Sequence, residues 1–140
     1  MLRTLNEWKS VFLILGALLV VGLIFSRVIV GPGSHGNGPA VVVDPYEAGE
    51  YVGDRAEVCG TVASVSHARQ IGGEPTFINL ERDHPNQPFT AVIWNEDRPA
   101  WDEPPEQRYA NQEICVTGTI DMHDGTPQIV VSDPRQIAVR

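Results

Sequence analysis

Two regimes of hydropathy divide the chain. Residues 11–25 read VFLILGALLVVGLIF without a charge, and Val28, Ile29 and Val30 extend the run past Ser26 and Arg27. As a helix, residues 11–30 span about 30 Å, the thickness of a bilayer's hydrocarbon core. From residue 41 onward apolar and polar positions alternate in short runs, the period of half-buried strands. These runs predict strands over 55–66, 75–82, 89–95, 112–121 and 126–132. In the first, Val58 and Val62 share one face, with Glu57, Cys59 and Thr61 on the other. In the second, Thr76, Ile78 and Leu80 face one way and Phe77, Asn79 and Glu81 the other. Val41–Val43 is a short extended run. Asp44-Pro45 then reads as an N-cap with proline at the first helical position, predicting a short helix over Tyr46–Val52 that stops at Gly53.

The connections fit the same plan. Residues 71–74 (IGGE) form a turn and 83–88 (DHPNQP) a loop. His123-Asp124-Gly125 is a hairpin turn, because Asp-Gly favours positive φ. Residues 96–111 are acidic and broken by proline, with room for one short helix. Five short strands with a long irregular connection between the third and fourth predict an all-β fold, a five-stranded Greek-key barrel of the oligonucleotide-binding (OB) type, preceded by one transmembrane helix. About 90 residues with five strands is small for a sandwich. Closing the barrel would remove its exposed edges.

The run at 11–30 sets the expected location. Arg3, Glu7 and Lys9 make a net positive flank at residues 1–10, and Trp8 sits where an interfacial aromatic is expected. The positive-inside rule puts that flank in the cytoplasm. The expectation is a single-pass anchor in the plasma (inner) membrane, with the C-terminal domain periplasmic or extracellular. A cleaved signal peptide is the alternative, but Ser34-His35-Gly36 is a poor cleavage site. Residues 31–40 (GPGSHGNGPA) hold four glycines and two prolines, a linker, which leaves 41–140 as the exported domain.

Charge narrows the partners. The whole chain carries a formal −8; beyond residue 30 the balance is seven arginines against seventeen carboxylates. Such a surface repels phosphates and anionic lipid headgroups unless the arginines cluster. It suits a basic protein or peptide.

The chain has two cysteines. Glu57-Val58-Cys59 recurs as Glu113-Ile114-Cys115, and Thr61 and Thr117 each follow two residues after a cysteine. In an OB barrel the first and fourth strands are antiparallel neighbours. Pairing Cys59 with Cys115 sets Glu57 opposite Thr117, Thr61 opposite Glu113 and Val58 opposite Val116, so like meets like along the ladder. An exported location favours a disulfide here; two free buried cysteines are the alternative. A metal site is not expected, because the cysteines have no histidine pair at ligand spacing.

Several words of this sequence occur in one order: Val58-Cys59-Gly60-Thr61-Val62, Thr76-Phe77-Ile78-Asn79-Leu80, Pro85-Asn86-Gln87-Pro88-Phe89-Thr90-Ala91-Val92-Ile93-Trp94, Cys115-Val116-Thr117-Gly118-Thr119-Ile120 and Gly125-Thr126-Pro127-Gln128-Ile129-Val130. From about residue 51 to 137 the chain thereby resembles bacterial exported OB-fold domains, of the type found as an accessory module in secreted nucleases of the staphylococcal-nuclease class. The resemblance implies a β-barrel of the nucleic-acid-binding kind. The nuclease domain itself is absent from this sequence, so its hydrolytic activity does not transfer.

OB-folds bind on the face of strands two and three and with the loops after strands one and four. If Thr76, Ile78 and Leu80 point inward, Phe77 points out. If Phe89, Ala91 and Ile93 point inward, Trp94 and Thr90 point out. Phe77 and Trp94 then form a stacking platform for single-stranded nucleic acid, with Arg69 and Arg82 placed for its phosphates. The opposite assignment makes both aromatics core. Trp101 and Tyr109 read as packing residues that plug a barrel end. No nucleophile elbow or phosphate loop is present, and His67, His84 and His123 have no partner at a catalytic spacing. The expected function is a non-enzymatic binding module without a cofactor. The alternative is an envelope module that recognises a protein or peptide through its acidic surface.

Overall fold

A computed structural model of the chain describes residues 40–140; the flank at 1–10, the expected anchor at 11–30 and the linker up to residue 39 lie outside the described residues. Among the described residues no helix is long and apolar enough to cross a membrane. The described residues form an all-β fold with eight strands: β1 (Val41–Val43), β2 (Arg55–His67), β3 (Thr76–Leu80), β4 (Phe89–Ile93), β5 (Glu113–Thr119), β6 (Asp121–His123), β7 (Thr126–Val130) and β8 (Ile137–Val139). They lie in the order β6-β7-β4-β3-β2-β5-β8, with β1 added in parallel to β2.

Strand β2 organises the sheet. Residues 55–61 pair with β5, and 62–67 pair with β3, with a register shift between Val62 and Ser64. A bulge of this kind adds a residue to one strand and increases local twist, which lets one strand serve two partners. Its alternation is the one read from the sequence. Ala56, Val58 and Val62 are buried in the core, while Glu57 and Cys59 are half-buried on the opposite face. The ladder between β2 and β5 has the expected register, with Glu57 opposite Thr117, Val58 opposite Val116 and Thr61 opposite Glu113. Cys59 faces Cys115, and the two sulfurs are bonded at 2.08 Å.

Three expectations are corrected. The ladder runs from β6 to β8, and among the described residues no backbone pairing joins β7 to β5, so the expected closed barrel is an open path. At that seam a Cβ on Gly118 of β5 would lie 2.5 Å from the Ile129 methyl of β7, so side-chain packing without a ladder brings the two strands together. Second, the helix over Tyr46–Val52 is only a 3₁₀ turn, Ala48–Tyr51. The Tyr46 N–H donates to the Asp44 carboxylate at 2.9 Å, and Gly49 removes helix propensity from the middle of the segment. Gly53 ends it at positive φ as expected. Third, the fourth strand stops at Thr119. Ile120 turns into the core and trades backbone hydrogen bonds with Gly53 and Asp54, and Asp121 then starts the separate strand β6.

The hairpin between β6 and β7 turns through Asp124 and Gly125, both at positive φ. Strand β8 follows a 3₁₀ turn at Pro134–Gln136, capped by Asp133 and Gln136 in a reciprocal capping box. The core gathers Ile78 and Leu80 of β3, Phe89, Ala91 and Ile93 of β4, Ile114 and Val116 of β5 and Ile129 of β7. Trp101 and Tyr109, from the irregular connection, belong to the same core. The indole N–H of Trp101 donates to the Tyr109 hydroxyl at 2.8 Å, so the polar atoms they bury are satisfied by each other.

Candidate functional site

With Thr76, Ile78 and Leu80 fully buried beneath β3, Phe77 and Asn79 stand on the outer face. Ladder partners extend that face sideways. Phe77 lies opposite Ser66 of β2 and Val92 of β4; Asn79 lies opposite Ser64 and Thr90. The parallel pairing of β4 with β7 adds Gln128 beside Thr90. A polar row crosses the strands: the Asn79 amide donates to the Ser64 hydroxyl at 3.1 Å, and the Thr90 hydroxyl donates to the Asn79 carbonyl at 3.0 Å.

Loops wall this face into a groove of about 590 Å³. Ala68, Gln70 and Ile71 close it on the β2–β3 side, His84, Pro85 and Gln87 on the β3–β4 side, and His123, Asp124 and Thr126 at the β6–β7 hairpin. Ligand sites are commonly concavities of about 300–1,000 Å³. The floor is aromatic and amide-bearing: Phe77 is half-buried, and Asn79 and Thr90 are almost fully buried.

The five residues expected to bind ligand are not all brought together. Phe77 and Thr90 line the groove. Trp94 lies past the end of β4, 37% exposed, and lines a separate hollow of about 430 Å³ with Gly73, Glu74, Asn95 and Glu96. Its ring lies against Gly73, where a Cβ would come within 3.0 Å of it. Arg69 and Arg82 line neither. The Arg69 side chain donates to the His67 ring at 3.5 Å, and Arg82 stacks over Tyr46 with its guanidinium carbon 5.9 Å from the ring centroid. Sequence reasoning left out Asn79, Gln87, Thr126 and Gln128. Asn79 was within reach, since it alternates with Phe77; the groove role of Gln128 depends on a parallel pairing that alternation does not reveal.

The other described arginines are engaged elsewhere or lie outside the groove. Arg98 holds both carboxylate oxygens of Glu106 at 3.1 Å and also donates to the Thr76 hydroxyl, which ties the irregular connection to the start of β3. Arg135 pairs with Asp133 at 2.6 Å, and Arg140 with Glu57 at 2.7 Å. Arg108 lies over the Tyr109 ring, and Arg55 is exposed at the start of β2. The Glu57, Cys59 and Cys115 cluster offers no thiolate to a metal, because both sulfurs are in the disulfide.

Burial alone would raise the Glu106 carboxyl, but its own backbone N–H, the Arg98 guanidinium and the nearby His67 outweigh burial and hold it below its usual range. A carboxyl depressed in the folded state contributes stability above its unfolded pKa and loses it as pH falls through the folded value. Glu106→Gln should therefore destabilise the protein at neutral pH and show a shallower loss of stability below about pH 4.5 than the parent. Denaturation midpoints measured at neutral and acid pH check this; parallel acid profiles would refute it.

No protein-family model matches the chain, and no curated protein matches it. Among solved structures it is similar to a putative aspartyl-tRNA synthetase from Leishmania major Friedlin, at 13% identity and a TM-score of 0.44 over 77% of this chain. The match spans 22% of the synthetase's own length. It is also similar to OBody AM1L10, solved bound to hen egg-white lysozyme, at 13% identity and a TM-score of 0.46, over 75% of this chain and 98% of that one.

Proposed function

We propose that the described domain is a non-enzymatic OB-fold binding module that holds an extended ligand in the groove across β2, β3, β4 and β7. The strand order supports the OB assignment. Taking β2, β3, β4, β5 and β7 as the five barrel strands, their order is fifth, third, second, first and fourth, with the fifth parallel to the third. OB-folds bind on the face of their second and third strands, here β3 and β4. One observation carries the binding reading: Phe77 and the Asn79–Thr90 pair form the floor of a walled concavity on the sheet's outer face, away from the core.

In this reading residues 11–30 anchor the module in the plasma (inner) membrane and the domain lies outside the cytosol. The Cys59–Cys115 bond supports an oxidising compartment. The resemblance to exported OB modules of secreted nucleases points the same way. It also implies nucleic acid as the ligand class, but among the described residues no arginine or lysine lines the groove to neutralise a phosphate backbone.

The Trp94 hollow favours a second reading. An exposed indole with Glu74 and Glu96 beside it suits a cationic side chain from a basic protein or peptide.

Hydrogen–deuterium exchange of the full chain in lipid nanodiscs separates the two. The probes are an oligo-dT strand, chitohexaose and an oligolysine peptide. The groove reading expects slower exchange in β3, β4 and β7 with at least one probe, and no cleavage of any. Protection confined to residues 73–74 and 94–96 would replace it with the second reading. No protection by any probe would overturn it.

A further inference from the structure

We infer that the groove takes an uncharged glycan chain, an inference that rests on the binding-module reading above. Polyanion binding depends on basic side chains that release counterions from the phosphates. Among the described residues lining the groove, Asp124, a carboxylate, is the only one with a formal charge, and the described arginines point to other partners or lie elsewhere on the surface. A phosphodiester backbone would meet one negative charge and no guanidinium.

Uncharged groups that both donate and accept hydrogen bonds line the groove in place of cations. Gln70, Gln87 and Gln128 supply side-chain amides, and Ser66 and Thr126 supply hydroxyls, above the Asn79–Thr90 pair, whose side chains bond each other. Sugar hydroxyls and acetamido groups are also donors and acceptors, so each finds a complement without a charge. Beneath these groups Phe77 offers a half-buried flat apolar surface, suited to the C–H face of a pyranose ring. Peptide backbone shares the amide chemistry, but the row of side-chain amides and hydroxyls lies over the face of the sheet. An extended peptide would need an open strand edge to pair its backbone.

Calorimetric titration of the full chain in nanodiscs with chitohexaose tests the inference. Its affinity should change less than about twofold between about 50 and 500 mM NaCl, since no counterions are released. Phe77→Ala should weaken it about tenfold, by loss of the aromatic surface. Gln128→Ala removes a half-buried side chain at the groove margin and tests the site without touching the core; it should weaken binding about fivefold. Chitohexaose binding that neither variant alters would overturn the inference, because the sugar would be bound elsewhere. Oligo-dT binding in the groove with steep salt dependence, and no sugar binding, would overturn the glycan assignment and leave the binding-module reading intact. Failure of oligo-dT, chitohexaose and oligolysine alike would overturn both.

Discussion

Replacing Cys59 and Cys115 with alanine will lower the free energy of unfolding by about 4 kcal/mol. The bond closes a loop between residues 56 apart in sequence, and in the chain-entropy account a loop of that size removes about this much freedom from the unfolded chain. The native ladder loses little, because the cysteines already face each other in the β2–β5 register and their neighbours pair independently of the sulfurs. The measurement is a pair of urea curves on the full chain in mild detergent, with and without reductant. Reductant should shift the parent to the variant's midpoint and leave the variant unmoved. A parent that reductant does not move, or a variant as stable as the parent, would show that the two strands hold their register without the bond.

Truncating Tyr109 should be almost as damaging. It is the largest fully buried side chain in the described domain, and it arrives from the irregular connection, so no ladder holds it in place. Tyr109→Ala empties a ring-sized space beneath the sheet and should cost about 3–5 kcal/mol. Tyr109→Phe keeps the ring and removes only the acceptor of the Trp101 indole N–H. That leaves a buried donor unpaired and should cost about 1–3 kcal/mol. The two losses together report whether the connection is fixed by volume or by its hydrogen bond. If both variants kept the parent's denaturation midpoint, the residues between β4 and β5 would not be part of the core.

Much of this architecture is legible in the sequence. Alternation sets Val58 and Val62 of β2 against Glu57 and Cys59, and Ile78 and Leu80 of β3 against Phe77; for β3 it leaves open which face is core, and burial puts Ile78 and Leu80 inside. The matched words around Cys59 and Cys115 located the ladder between β2 and β5 through like-with-like pairing. The Asp124-Gly125 turn was readable from its demand for positive φ. What sequence could not reach depends on tertiary partners. Ile137–Val139 is three residues long, too short to show a period, and becomes a strand only because β5 offers a free edge. At the open seam β5 and β7 meet through side-chain packing at Gly118, which no pattern along one strand reveals.

The candidate site divides in the same way. Alternation puts Phe77 and Thr90 on one face of their strands, and that face lines the groove. The same rule groups Trp94 with them, but β4 ends at Ile93, and beyond a strand's end alternation no longer controls direction. Charge near the loops points to Arg69 and Arg82. A neighbouring ring occupies each of them.

The most direct test of the groove as the binding surface is to compare Phe77→Ala with Trp94→Ala. Each full chain is titrated with whichever probe protects β3 and β4 from exchange. The groove account predicts about tenfold weaker binding for Phe77→Ala and a change of less than about twofold for Trp94→Ala. The reverse pattern, with affinity lost at Trp94 and kept at Phe77, would move the site to the acidic hollow and contradict the account.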